Sequence, residues 1–247
     1  MNRLSSGIPG LDAMLSGGFL PNSAILVRGA PGTGKTTLAF HFLIHGAAQQ
    51  SEPGLMISFE EFPQSLYRDA DSLGFDLRAL EKTGGLTMQF TSPEVFLAGL
   101  QTPDSPLIRT IQEKNIRRVA LDSATQFTRL TEDGQELRKD YHMLASALKR
   151  EGVTAMLLGE ETQAETRALE KGRLAFIADC MIMLRYLEID SAIQRAVLVL
   201  KMRGSSHAKD IRRYEIKRGG IVVGEPFAGR EGLLSGIARK SMISTVR

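Results

Sequence analysis

A glycine-rich stretch at residues 29–36 constrains the fold of this chain more than any other feature. Its letters, GAPGTGKT, match the pattern G-x-x-x-x-G-K-[ST] in full. An apolar run, Ser23–Arg28, precedes it, and a helix is predicted directly after it over Lys35–Gln49. The glycines allow backbone N–H groups to turn around phosphate oxygens, and the helix adds its positive N-terminal end. We therefore predict a nucleotide phosphate-binding loop in which the Lys35 ammonium contacts the β and γ phosphates. The predicted loop residues are Gly29, Gly32, Thr33, Gly34, Lys35, Thr36 and Thr37.

The rest of the chain alternates short apolar runs with helical patterns. Strands are predicted at Ser23–Arg28, Gly54–Phe59, Leu86–Phe90, Arg118–Leu121, Val153–Leu158 and Cys180–Leu187. Helices are predicted at Lys35–Gln49, Gln64–Leu73, Ser105–Lys114 and Gln135–Arg150. The strands are apolar almost throughout rather than alternating, which is typical of strands covered on both faces. The pattern predicts an α/β fold with a mostly parallel central sheet and helices on both faces.

The pattern changes after residue 188. Further strands are predicted at Ala196–Met202, Ile211–Ile216 and Ile221–Val223, separated by short polar turns, which predicts an antiparallel C-terminal extension of the sheet. Glycine and proline recur after residue 223, so we expect irregular structure there. The predicted organisation is a single domain over residues 1–223 and a C-terminal tail over residues 224–247.

Composition and charge narrow the possible classes of function. A chain that is 43% hydrophobic and 24% charged is typical of a globular protein, and its single cysteine, Cys180, excludes an intrachain disulfide. The chain has neither a membrane-length apolar run nor a signal-peptide pattern, so we expect a cytoplasmic protein without membrane contact. Residues 201–247 carry 11 Lys and Arg against 4 Asp and Glu, a charge of +7, and the total of +3 leaves −4 for residues 1–200. Such a basic segment suits nucleic acid or a phosphate-bearing ligand, unless it is simply a solvated surface.

Acidic residues follow two of the predicted strands. Asp122 ends the apolar run RVALD, which is the Walker B pattern, and its carboxylate is predicted to hold Mg²⁺ beside the Thr36 hydroxyl. The alternative for Asp122 is a residue that starts a turn. Glu60 and Glu61 follow the run GLMISF, where a carboxylate can activate the water that attacks a γ-phosphate. Neighbouring strand residues point to opposite faces, so a regular strand allows one of the two in this role, and solvated loop acids remain the alternative.

Together these elements resemble the RecA-like ATPases, and most closely the KaiC family. The segments that carry the resemblance are the phosphate loop and SSGIPGLDAMLSGGF (5–19), ISFEEFP (57–63), RRVALDSAT (117–125) and KMRGSSHAK (201–209). The resemblance implies a hexameric ring that binds ATP between subunits and hydrolyses it slowly in the presence of Mg²⁺. It further implies a regulatory or signalling switch, with self-association and an unknown signalling protein as partners.

The resemblance also implies the roles of individual residues. Glu60 and Glu61 activate water, and Lys201 and Arg203 reach the γ-phosphate bound to the neighbouring subunit. Further nucleotide contacts are implied in trans for Met202, Ser205 and His207, and in cis for Ser72. Lys201 and Arg203 lie two apart on a strand, so both point to one face, where an anion such as a polyphosphate would relieve their repulsion. The alternatives are a solvent-facing charged strand for this pair and a turn residue for His207.

Several other interpretations remain open at this point. His41 and His45 are spaced i, i+4 on a helix, but without a third ligand we favour helix packing over a metal site. The +7 segment raises the alternative of a DNA-binding recombination or repair ATPase of the RecA or RadA type, which the 6% aromatic content does not favour. A protein kinase is the third hypothesis. Its self-phosphorylating form is not expected, because Ala175-Phe176 stands where two-domain clock members of the family carry adjacent Ser and Thr acceptors.

Overall fold

The computed structural model describes residues 3–161, 173–227, 230–231 and 239–240. Its helices are α1 Pro9–Met14, α2 Lys35–Gln49, α3 Pro63–Leu73, α4 Leu77–Lys82, α5 Pro93–Gln101, α6 Pro106–Glu113, α7 Gly134–Arg150 and α8 Arg173–Ile177, with a 3₁₀ helix at Ala124–Arg129. Its strands are β1 Ala24–Gly29, β2 Gly54–Ser58, β3 Leu86–Phe90, β4 Arg118–Asp122, β5 Thr154–Glu160, β6 Cys180–Ile189, β7 Ala192–Met202, β8 Arg212–Lys217, β9 Gly220–Pro226, β10 Arg230–Glu231 and β11 Arg239–Lys240.

A nine-stranded sheet in the order β3-β2-β4-β5-β1-β6-β7-β8-β9 organises the chain. The first six strands in this order, from β3 across β1 to β6, run parallel to one another. Strands β7, β8 and β9 continue the sheet in antiparallel pairs. The predicted parallel sheet with an antiparallel C-terminal extension is therefore confirmed. Since β1 lies in the middle of the sheet, the phosphate loop that follows it is flanked by strand ends on both sides.

Helices cover the parallel part of the sheet on both faces, and the hydrophobic side chains form one core on each side. Leu26 of β1 packs in the core under α5, α6 and α7, whereas Ile25 and Val27 pack in the core under α1 to α4. This alternation between two apolar environments explains why the strand sequences are apolar throughout. Along the described parts of the chain, no helix is long and apolar enough to cross a membrane.

The structure differs from the sequence prediction mainly in short elements. It contains α1, α4, α5, α8 and the 3₁₀ helix, which the hydrophobic pattern did not predict. Strand β7 begins at Ala192, four residues before the predicted start, because β6 and β7 form a long hairpin. The prediction of irregular structure after Val223 is wrong for Gly224–Pro226, which continue β9, and for the short pair β10–β11.

Candidate nucleotide site

The loop between β1 and α2 depends on glycine at specific positions. Gly32 and Gly34 have φ values of 76° and 90°, a region that residues with a side chain rarely adopt. A Cβ on Gly34 would lie 2.5 Å from Cδ1 of Ile216, and a Cβ on Gly29 would lie 2.6 Å from the carbonyl oxygen of Leu184. The loop therefore fits closely against strands β6 and β8, and side chains at these positions would push it away from them.

Hydrogen bonds hold the loop from within and from β8. The hydroxyl of Thr33 is buried and donates to the carbonyl oxygen of Ala30 at 2.8 Å. The hydroxyl of Tyr214 on β8 donates to the carbonyl oxygen of Thr33, and burial raises the pKa of this phenol. Thr37 lies in the first turn of α2, on the buried side of that helix. The predicted loop residues are thus held in one compact turn.

Lys35 lies inside this turn, at the start of α2. Its Nζ donates to the carbonyl oxygens of Gly29 at 2.9 Å and Ala30 at 3.2 Å. Burial lowers the pKa of Lys35, and the negative charges of Glu160, Asp122 and Glu60 oppose that shift. The ammonium is therefore surrounded by acidic groups at the carboxyl ends of the strands.

The two predicted metal ligands are in contact, although 86 positions separate them in the sequence. The hydroxyl of Thr36 donates to Oδ2 of Asp122 at 2.7 Å. Burial raises the pKa of Asp122 to about 6; the Thr36 hydrogen bond and Lys35 oppose the shift, and the charges of Glu61 and Glu60 add to it. A buried carboxylate beside a hydroxyl is an oxygen donor set that suits Mg²⁺, so the residues present fit this cation.

Glu60 and Glu61 follow β2, and both are exposed. Oε1 of Glu60 accepts a hydrogen bond from the side-chain amide of Gln126 and lies 3.9 Å from Arg129, both in the 3₁₀ helix that follows Asp122. Glu61 is held through its backbone, because its N–H donates to the hydroxyl of Ser58 at 3.1 Å and its carbonyl oxygen accepts from that hydroxyl at 2.7 Å. The two carboxylates therefore differ: the structure orients the Glu60 side chain and anchors only the main chain of Glu61.

Lys201 and Arg203 lie at the other edge of the sheet from the loop. Nζ of Lys201 donates to the carbonyl oxygen of Ala175 at 2.5 Å, and the Arg203 guanidinium donates to that of Phe176 at 2.6 Å. The pKa of Lys201 is lowered by burial and then by the charge of Arg203. Both cations thus contact neighbouring carbonyl groups of α8 of their own chain, although Arg203 lies just beyond the end of β7 and not on the strand.

The remaining predicted residues make their described contacts outside the phosphate loop. Ser205 accepts a hydrogen bond from Arg3 at 2.6 Å, and Met202 is buried in the core with 7% exposure. His207 is half-buried in the irregular segment after β7. The hydroxyl of Ser72 donates to the carbonyl oxygen of Asp69 at 2.7 Å, and among the residues with described positions no hydrogen bond joins Ser72 to the loop. Nucleotide contacts from these four residues stay predictions.

The structure supports packing rather than metal binding for His41. Nε2 of His41 accepts the backbone N–H of Ile221 at 2.8 Å, and the ring packs edge-on against Phe75 with centroids 5.1 Å apart. Burial lowers the pKa of His41 to about 4. Within the described ranges, no group of three or more His, Cys, Asp or Glu side chains could hold a metal ion. His41 therefore links α2 to β9 behind the phosphate loop.

Sequence reasoning missed two residues beside the loop. Glu160 ends β5 in register with Gly29, and its charge acts on Lys35. The rule that found Asp122, an acid at the end of an apolar run, would also have found Glu160. The hydroxyl of Tyr186 on β6 lies 2.8 Å from where a Cβ on Gly32 would be. No local sequence signal marks Tyr186, because its position depends on the pairing of β6 with β1.

Comparisons with known proteins agree with this geometry. The family model described as "ATPase: KaiC" matches residues 4–227. The chain is 34% identical over 235 residues to the circadian clock oscillator protein KaiC of Picosynechococcus sp. and 34% identical to the circadian clock protein KaiC3 of Synechocystis sp.. Each alignment covers 95% of this chain but 45% and 46% of the relative, so the chain spans a little under half the length of these curated relatives.

A solved structure matches most of this chain and nearly the whole of its own length. The KaiC-like protein from the hyperthermophilic archaeon Pyrococcus horikoshii OT3 is similar to this chain, with a TM-score of 0.79 and 31% sequence identity. The superposition covers 91% of this chain and 99% of the archaeal chain. The archaeal protein therefore matches in extent as well as in fold.

Proposed function

The chain belongs to the KaiC family of ATPases and has its RecA-like fold, and on this premise we propose that it binds MgATP and hydrolyses it slowly at sites shared between copies. In this proposal one copy contributes the loop Gly29–Thr37 with Asp122, Glu60 and Glu61, and the neighbouring copy contributes Lys201 and Arg203. The assembly is a ring, which we propose to be a hexamer. The slow cycle serves as a regulatory or signalling switch that changes the contacts between subunits and acts on a protein partner.

The position of the two halves in the sheet carries this proposal. Gly29 pairs with Leu184 of β6, whereas Ile25, four residues earlier, pairs with Cys180. Cys180 in turn pairs with Met202, because β7 runs antiparallel to β6. Lys201 and Arg203 therefore lie about 13 Å along the strand direction from the level of the loop. One chain cannot bring its own cation pair to its own loop, and a second chain in head-to-tail arrangement can.

Within one copy, the loop and Lys35 bind the phosphates. Thr36 and Asp122 would hold Mg²⁺, which when bound neutralises phosphate charge and lowers the cost of the developing negative charge. The raised pKa of Asp122 reflects burial of a carboxylate that a cation at this position would stabilise. Lys35 binds and orients the phosphate chain from the other side of the turn.

Glu60 is the proposed base, and Glu61 assists it. The contact with Gln126 orients the Glu60 carboxylate, and an oriented carboxylate can accept a proton from an attacking water. Glu61 adds negative charge beside Asp122 and strengthens the cation site. Lys201 and Arg203 of the neighbour stabilise the charge on the transferred phosphoryl group, as a trans arginine does in other phosphoryl-transfer enzymes.

Mixing two inactive variants tests the shared site directly. Lys35→Ala removes the loop function but keeps Lys201 and Arg203, whereas the double variant Lys201→Ala/Arg203→Ala keeps the loop and loses the cations. Each alone should be inactive, and a mixture should regain ATPase activity at interfaces where an intact loop meets an intact cation pair. A mixture that stays inactive while forming mixed rings would contradict a shared site.

The mass of the wild-type protein in solution, with and without ATP, tests assembly in parallel. We expect ATP to favour the ring and the activity per subunit to fall on dilution as the ring dissociates. A proven monomer with constant activity per subunit would overturn the proposal.

Within residues 201–227, the part of the basic segment whose side chains the structure describes, neither alternative function gains specific support. Lys201 and Arg203 contact carbonyl groups, and Arg212 is paired with Asp210 at 2.6 Å. Stimulation of hydrolysis by single-stranded DNA would revive the recombinase hypothesis. Transfer of labelled phosphate from ATP to protein would revive the kinase hypothesis.

A further inference from the structure

Three exposed phenylalanines lie next to the two halves of the proposed site. Phe62, Phe90 and Phe176 are 61%, 41% and 53% exposed, and they are the exposed phenylalanines of the described part of the chain. Exposed apolar side chains that gather at particular places on a surface mark interaction sites more often than scattered ones do. Their positions therefore need an explanation.

Phe62 and Phe90 form one patch. Their rings are 4.4 Å apart between centroids, with an angle of 31° between the planes. Phe90 ends β3 in register with Ser58, the last residue of β2, so the pair lies at the carboxyl edge of the parallel strands. Phe62 directly follows Glu60 and Glu61, and these carboxylates give the patch an acidic border.

Phe176 forms a second patch at the opposite edge. It lies in α8, just before Cys180, which pairs with Ile25 near the start of β1. Its carbonyl oxygen accepts the hydrogen bond from Arg203, and the guanidinium of Arg138 lies 5.7 Å from the centre of its ring. The border of this patch is therefore basic.

We infer that Phe176 of one copy packs against the Phe62–Phe90 pair of the next copy, beside the shared nucleotide. The inference rests on the proposed function, because the head-to-tail contact that brings Lys201 and Arg203 to the neighbouring loop also brings the two patches together. The contact matches aromatic with aromatic rings and a basic border with an acidic one. Within one chain the patches lie at opposite edges of the sheet and cannot meet.

A double-mutant cycle on assembly measures this contact. With ATP present, Phe176→Ala and Phe62→Ala should each raise the concentration for half-assembly by about 30-fold, the effect of a central aromatic contact. The double variant should be little worse than either single variant, because both remove the same contact. Ile193→Ala is the matched control, since Ile193 is 75% exposed and lies on the β6–β7 hairpin; it should leave assembly unchanged. If the double variant raises the concentration for half-assembly by the product of the two single effects, the inference is wrong.

Chemical cross-linking supplies a second measurement. Phe176→Cys combined with Phe90→Cys should give covalent oligomers with a short bismaleimide when ATP is present, and Phe176→Cys with Ile193→Cys should not. The native Cys180 is buried and its pKa is raised to about 12, so this thiol should not react. Assembly by mass without cross-linking would overturn the aromatic contact and leave the shared site intact. Absence of assembly with ATP in the wild-type protein would instead overturn the proposed function.

Discussion

At the carboxyl edge of the sheet the phosphate loop is braced on several sides, whereas at the amino edge Lys201 and Arg203 contact two carbonyl groups of the five-residue helix α8. The loop fits against β6 and β8, Tyr214 holds it, and Thr36 already contacts Asp122. One half of the proposed site is thus preformed within the chain. The cation pair of the other half donates to neutral carbonyl groups, so we expect the phosphate of a neighbouring copy to compete with these groups for its N–H donors.

The largest expected effect separates binding from turnover. Lys201→Ala/Arg203→Ala should lower turnover by about 10³-fold, because a trans cation stabilises charge in the transition state. It should leave ATP binding to the dissociated subunit intact, since the preformed half remains. Lys35→Ala should instead weaken ATP binding by about 100-fold, the value of a strong charge-assisted contact.

Equilibrium binding of a fluorescent ATP analogue and steady-state phosphate release measure the two quantities. Lys217→Ala, which removes an exposed lysine from β8, is the control and should change neither. Equal loss of ATP binding in both the Lys35 and the Lys201/Arg203 variants would contradict the difference between the two edges.

The second prediction concerns the two glutamates of the preformed half. Glu60→Gln should lower turnover by about 100-fold and Glu61→Gln by less, because the structure orients the Glu60 carboxylate. The double variant should bind ATP normally and stop turning over. Phosphate release measures the effect, with Glu94→Gln as an exposed control. Full activity of the double variant would remove both glutamates from the reaction.

The third prediction uses pH to test the contact by which His41 links α2 to β9 behind the loop. Burial lowers the pKa of His41 from its ordinary 6.5 to about 4, so the folded state favours the neutral ring. This contribution to stability is complete above pH 6.5 and is lost as the pH falls towards 4. Allowing for the partial exposure of the ring, we expect the free energy of unfolding to fall by about 2 kcal/mol over that range.

Urea unfolding at several pH values measures this loss. His41→Gln should flatten the dependence, whereas His142→Gln, which changes an exposed histidine on α7, should keep it. An unchanged pH dependence in His41→Gln would show that other groups cause it.

The smallest expected effect comes from one hydrogen bond to the loop. Tyr214→Phe keeps the ring and removes the hydroxyl that donates to the carbonyl oxygen of Thr33. We expect a loss of about 1 kcal/mol in the free energy of unfolding, the usual value of one such bond. Tyr186→Phe, on a ring that is 37% exposed, is the stability control. A loss in the control equal to that in Tyr214→Phe would argue against this brace.

Local signals in the sequence were sufficient for the bounds of some elements, both at the centre of the sheet and at its edge. The bounds of α2, Lys35–Gln49, and of β3, Leu86–Phe90, were predicted as found, because an apolar pattern of the right period is bounded by clear breaks. Helix α5 was missed although Ser92 caps it and Pro93 opens it, since nine residues give little periodicity. The contact between Thr36 and Asp122 followed from the loop motif combined with an acid at the end of a strand.

The contacts that the sequence could not predict depend on which strands are neighbours in the sheet. Tyr186, Tyr214 and Ile216 meet the loop because β6 pairs with β1, and β7 and β8 follow β6 in the sheet. No local pattern specifies that arrangement. The distance between the loop and Lys201 follows from the same strand pairings, so it emerged only with the structure.

The separation of the two halves also determines how complete sites are counted. A head-to-tail contact uses the loop of one copy and the cation pair of the next, so two copies joined by one such contact complete one site. An open row of n copies holds n − 1 complete sites, and only a closed row holds n. Activity per subunit would therefore rise with the length of the row and reach its maximum at closure. A measured rate per subunit would then indicate whether the row of copies is open or closed.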